Sequence, residues 1–166
     1  FSFQQHTHNI RPNTPLMISR VFVYGTLKRT FRNSHILNHS EFIQQSSTID
    51  SFTLFTDIYQ IPYAQHKSKK LPSQPLQGEL YNVTPETLHQ LDILEGVPEN
   101  RYIRKEIKLH QEDQKAFIYL LPTDIIIPTS PSIVHISNYT SEIHTKYIPP
   151  GKQRDLSRLQ SWGGFE

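Results

Sequence analysis

Two short segments of this chain hold residues whose types and spacing could do chemistry. The first is Tyr24-Gly25-Thr26-Leu27-Lys28-Arg29, directly after a short apolar run. Glycine at a strand end admits a tight turn whose successive N–H groups point into one concavity, a nest for a carboxylate or an oxyanion. The second is Leu91-Asp92-Ile93-Leu94-Glu95-Gly96-Val97-Pro98, followed by Arg101-Tyr102. On a helix Asp92 and Glu95, three apart, share a face. Glu95 stands among Leu91, Leu94 and Val97 at the negative helix end. Both influences favour its neutral form and raise its pKa toward the range where a carboxyl can take up and return a proton near neutrality. Each segment alone also fits plain structure: an ordinary strand–turn, and a solvated acidic pair at a helix end.

Other chemistries find less support. No GxSxG elbow is present, and with no cysteine there is neither a thiolate nucleophile, a disulfide nor a Cys-ligated zinc site. His35 and His39 are four apart, but no HExxH accompanies them and no third ligand is placed, so they read as ordinary histidines. Lys67, Lys69 and Lys70 lack interleaved aromatics, which favours a solvated loop over a nucleic-acid contact.

The elements that must position the two segments follow from periodicity. Residues 20–24, RVFVY, read as a buried strand. Asn33 and Ser34 are placed to cap a short helical piece with Ile36 and Leu37 inward. Residues 41–61 suggest two strands split near Asp50–Ser51, and 62–75 an exposed loop. LQGELYNV, 76–83, alternates as a strand whose Gly78 marks a bulge or close approach. Thr84 then caps a helix with Pro85 at its first position and Leu88, Leu91 and Leu94 on one face, Ile93 alongside, stopped by Gly96 and Pro98. Residues 101–110 and 114–121 read as a hairpin, and 132–147 fit a strand or a helix equally. This order points to an α+β domain on a curled sheet over 20–147, between a mobile tail at 1–19, where Met17 is an alternative start, and a polar arm at 148–166.

The totals agree with one globular domain. Of 166 residues 36% are apolar and 19% charged, a mixture that can bury a core without staples. Twelve prolines argue against long helices. A net charge of +2 makes no case for a nucleic-acid partner. No apolar stretch reaches the roughly 20 residues of a membrane helix. A cytoplasmic monomer without membrane or nucleic-acid partners is the expectation.

Taken together, VFVYGTLKR, QGELYNV and LDILEGVPENRYIR resemble the γ-glutamylamine cyclotransferase branch of the γ-glutamylcyclotransferase-like group, to which the plant avirulence-induced proteins also belong. The likeness runs from about Val21 to Leu120. It implies a small closed or nearly closed mixed β-barrel with flanking helices, and a pocket between the turn and the acidic helix end. It implies that Tyr24, Gly25, Thr26 and Leu27 hold a γ-glutamyl head and that Glu95 is the general acid/base. Asn33 and Tyr102 match residues of less defined role. The chain departs from the family where Thr30, followed by Phe31, replaces a frequent glycine; this bears on substrate preference.

The implied reaction is cofactor-free. Glu95 takes a proton from the substrate's α-amino group, which closes a five-membered ring on the γ-carbonyl and gains from being held folded. N–H groups of the 24–27 turn receive the oxyanion. Protonated Glu95 then serves the leaving amine, and 5-oxoproline departs. The substrate expected is a γ-glutamyl amine such as γ-glutamyl-ε-lysine. The alternatives are γ-glutamyl amino acids or glutathione, or a non-catalytic binding module on the same fold.

Overall fold

The computed structural model describes residues 16–67 and 69–150. The remaining parts of the expected tail and arm, including His6 and His8, lie outside the described residues.

The apolar run forms β1 (Ser19–Val23), with Val21 and Val23 on one face and Phe22 and Tyr24 on the other. Both faces are buried, which is why the run is continuously apolar instead of alternating. The sheet continues with β2 (Glu41–Thr56), β3 (Pro62–His66), β4 (Gln74–Val83), β5 (Ile103–Ile107), β6 (Ala116–Leu120) and the two-residue β7 (Val134–His135). Its order is β3-β2-β4-β1-β6-β5, with β7 against β2. Only β1 and β6 run parallel; the other pairs are antiparallel.

The sheet curls until its β3 edge meets the segment that follows β6. The Leu121 N–H donates to the Ala64 carbonyl at 2.8 Å, and the Gln65 amide donates to the Pro122 and Ile125 carbonyls. Inside the curl lies one core of Phe22, Phe52, Leu54, Leu76, Leu80, Ile118 and Leu120. Outside it, helix α1 (Pro85–Leu94) and a 3-10 turn (Ser34–Leu37) pack Leu91 and Leu37 onto Val21, Val23, Tyr81 and Val83. The expected curled α+β barrel with flanking helices is therefore present. Among the described residues no helix is long and apolar enough to cross a membrane.

Several local expectations are corrected. Residues 41–56 form one strand, not two, and the expected break is a bulge. There Thr48, fully buried, donates to the Asp50 carbonyl and accepts from the Leu76 N–H, while residues 47–49 bond residues 108–110. The bend lets one long strand wrap the barrel. Residues 62–66, expected as exposed loop, are β3, with Tyr63, Ala64 and Gln65 buried; Pro62 sits at the first strand position, where its missing N–H is tolerated. On α1, Leu91 is buried, whereas Ile93 and Leu94 are 56% and 37% exposed, so the apolar face is narrower than its leucine spacing suggests. Residues 132–147 hold both alternatives: β7 and the short helix α2 (Ser141–His144).

The hairpin of β5 and β6 and the Thr84 cap on the Thr87 N–H match expectation. Gly78 is a close approach: a Cβ there would meet the Val23 carbonyl oxygen and lie 2.6 Å from the Phe22 ring.

Candidate active site

Where β1 ends, the chain turns sharply, and each residue of the turn has a separate reason for its place. Tyr24 keeps its ring in the barrel and donates its hydroxyl to the Tyr119 carbonyl at 2.9 Å. Gly25 does not adopt a left-handed φ; its lack of a side chain is required because Pro62 Cγ would stand 2.7 Å from a Cβ. Lys28 N–H closes the turn on the Gly25 carbonyl at 3.1 Å.

Asn33 does not cap the 3-10 turn with its side chain. Its Nδ2 instead donates to Thr26 Oγ1 at 2.8 Å, and its N–H to the Thr26 carbonyl at 2.9 Å. Arg29 ties the following residues to Glu79, a buried carboxylate on β4 that also accepts from the Tyr81 hydroxyl. With the carbonyls of Gly25 and Thr26 so engaged, the N–H groups of Thr26 and Leu27 bond no other group of the described residues. Two adjacent donors without acceptors at a cavity wall can receive an anionic oxygen.

Helix α1 presents the acid to the same cavity. Glu95 is its C-cap residue, and Gly96 follows with φ +64, the left-handed turn that a helix stop favours. Arg101 folds back across Gly96, filling the space a Cβ would need. Burial pushes the Glu95 carboxyl up from 4.5 to about 7, with the Arg101 guanidinium pulling the other way. The residue keeps partial exposure, consistent with a carboxyl that faces a cavity. Burial and the Glu95 charge both push the phenols of Tyr24, Tyr102 and Tyr119 up, so all three remain neutral hydrogen-bonding groups.

Asp92 does not stand in solvent. It accepts from Arg104 Nη1 at 2.5 Å and from the Tyr119 hydroxyl at 2.7 Å, pinning α1 to the β5–β6 hairpin. The helix turn that ends in Glu95 is thereby fixed against the strand that carries Tyr119.

Tyr24, Gly25, Thr26, Leu27, Asn33, Glu95 and Tyr102 all line one cavity of about 710 Å³. A volume of this order suits a small molecule. The seven residues singled out in the sequence are thus brought together. Tyr102 reaches the cavity stacked on Tyr63, ring centroids 6.2 Å apart and nearly parallel. Sequence reasoning missed other parts of the wall: Arg32 and His35 after the turn, Pro62 and Tyr63 of β3, and Arg101, Tyr119 and Tyr147. Arg101 was adjacent to a chosen residue. Tyr119 reads as one more apolar strand position, and 62–66 read as loop, so neither carries a signal.

The family model described as "Gamma-glutamyl cyclotransferase, AIG2-like" matches residues 21–139. An Arabidopsis thaliana protein named "Putative gamma-glutamylcyclotransferase" is 37% identical over 103 residues, 58% of this chain and 54% of that protein. The matched region thus spans about half the length of that relative. A Danio rerio protein named "Gamma-glutamylaminecyclotransferase A" is 30% identical over 126 residues, covering 66% of this chain and 73% of that one. Among solved structures, an AIG2-like protein from Mus musculus superposes with a TM-score of 0.64 at 27% identity, covering 82% of this chain and 99% of that one.

Proposed function

We propose, from the premise that this chain belongs to the gamma-glutamyl cyclotransferase, AIG2-like family, that it converts a γ-glutamyl amine into 5-oxoproline and the free amine. The observation that carries the reading is that Glu95 lines one cavity with Thr26 and Leu27, whose N–H groups bond no other group of the described residues. In this reading a carboxyl raised to about 7 shares the cavity with two N–H groups that receive the oxyanion.

In the proposed reaction the γ-glutamyl head lies folded in the cavity, its γ-carbonyl oxygen toward the Thr26 and Leu27 N–H groups. Glu95 as carboxylate removes a proton from the substrate's α-ammonium. The freed amine attacks the γ-carbonyl carbon, and the negative charge that forms on its oxygen is met by the two N–H groups. Glu95 then gives its proton to the amide nitrogen as the C–N bond breaks, and the second proton of the ring nitrogen passes by way of Glu95 to the released amine, which leaves as the ammonium ion. Glu95 ends as it began. The ring-closing step is intramolecular, so holding the folded conformer supplies much of the acceleration. The three neutral tyrosines keep the site apolar and hydrogen-bonding without adding a competing base.

The test is incubation of the purified protein with γ-glutamyl-ε-lysine, following 5-oxoproline and lysine, with Glu95→Gln in parallel. Release by the native chain alone supports both the reaction and the base. Equal release by the variant removes Glu95 from its role. No release from this substrate, with release from a γ-glutamyl amino acid or glutathione, moves the substrate class. No release from any of them by folded protein leaves the binding-module reading in possession.

A further inference from the structure

The segment after Tyr139 lies beyond the part of the chain that matches the family, yet it builds one wall of the cavity and grips the loop that follows the turn. The grip is centred on His144, the last residue of α2. The Arg32 N–H donates to His144 Nε2 at 2.9 Å. On the other side of the ring, Nδ1 stands 3.1 Å from the Tyr139 hydroxyl, which gives its own proton to the Gln60 carbonyl at 3.0 Å. The hydroxyl therefore accepts from His144, and the ring is the neutral tautomer with its proton on Nδ1.

Ring stacking adds to these bonds. Phe31 lies flat on His144 at 4.4 Å, and Tyr147 stacks on the same ring at 5.4 Å. Tyr139, fully buried, meets both Phe31 and His144 edge-on, and its carbonyl accepts from Lys28 Nζ at 2.6 Å. Ile148 N–H donates to the Tyr59 carbonyl at 3.0 Å. The loop needs such a grip. Thr30 holds φ +69, a left-handed conformation that strains a β-branched residue. Arg32 leads directly into Asn33, whose two bonds shape Thr26.

We propose that His144 is a positioning residue: its unprotonated Nε2 holds the Arg32 amide and so keeps the 26–33 loop in substrate-binding shape, while Tyr147 walls the cavity beside it. The catalytic part of this statement rests on the cyclotransferase reading above. A proton on Nε2 would leave Arg32 N–H facing another donor and would put a cation beside Lys28; among the described residues the phenols of Tyr139 and Tyr147 also face the ring. Burial and Lys28 both push His144 down from its ordinary value, so the neutral ring is the resting form at neutral pH.

The test compares the native chain with His144→Ala and His144→Gln, whose side-chain oxygen can replace the Nε2 acceptor. Amide hydrogen exchange is followed for residues 26–33, together with kcat and KM on γ-glutamyl-ε-lysine from about pH 5.5 to about pH 8.5. For the alanine variant, exchange at Arg32 and KM are each expected to rise about tenfold, with kcat within about twofold. The glutamine variant should recover most of both. Native KM should climb as pH falls below the ordinary histidine range, and the glutamine variant should lack that climb. Unchanged exchange and KM in the alanine variant would overturn the proposal. If the alanine variant fails to fold, a glutamine variant whose KM still climbs in acid as the native one does would overturn it equally. If the native chain releases nothing from any γ-glutamyl substrate, the cyclotransferase reading fails, and the exchange comparison still decides whether His144 holds the loop.

Discussion

Glu95→Gln is expected to make the protein more stable and nearly inactive, and the stability gain should appear only on the alkaline side. The carboxyl is raised from 4.5 to about 7, chiefly by burial. Between those values the folded chain binds this proton more tightly than the unfolded chain does, so stability falls as pH rises through the interval. Above it, the full shift would correspond to about 3 kcal/mol, and contact of the half-buried side chain with cavity water reduces this to about 1–2 kcal/mol. Glutamine is neutral at every pH and escapes this loss. Thermal unfolding at about pH 8 should therefore show the variant melting about 2–8 °C above the native chain, the two converging near pH 4.5. The same substitution removes the group that moves the proton, so kcat/KM should fall by about 10²–10⁴. Stability measured at both pH values, alongside 5-oxoproline release, separates the two effects. A variant no more stable than the native chain in alkali would refute the argument from burial. One that keeps full activity would refute the assignment of the base.

Three further outcomes are expected. The kcat/KM of the native chain should rise with pH through about 7 and then level, because Glu95 must be a carboxylate to begin the reaction; a profile flat from about pH 5 upward would contradict this. Asn33→Ala removes the bond that holds Thr26 Oγ1 and should lower kcat/KM about tenfold with little change in melting temperature. Gly78→Ala forces a methyl onto the Val23 carbonyl and the Phe22 ring and should destabilise by about 1–3 kcal/mol in a denaturant titration, with the site chemistry retained in whatever remains folded.

Local features were legible in the residues themselves. The Thr84 cap, Pro85 at the helix start and Gly96 at its stop depend on backbone chemistry within a few positions, and they put Glu95 at a helix end with no knowledge of the fold. The buried run at β1 and the Gly78 contact were legible for the same reason. What tertiary structure alone decided was which of these groups share a space. Residues 62–75 are largely polar and proline-flanked, so no local preference marks a strand; 62–66 become β3 because β2 offers an edge and the curled sheet buries Tyr63 and Gln65. The β2 bulge is set by Thr48 finding partners on β4 and near Leu109, far along the chain. Asp92 is paired instead of solvated because folding delivers Arg104 and Tyr119 to it. His144 falls in a segment whose sequence fits helix and strand alike, and its ring gains a role only because Phe31, Arg32 and Tyr139 converge there. Short-range patterns determine elements and their ends, because caps, turns and stacking of neighbours act over one or two helical turns. The cavity depends on contacts between residues tens of positions apart, whose energy exists only once the sheet has closed.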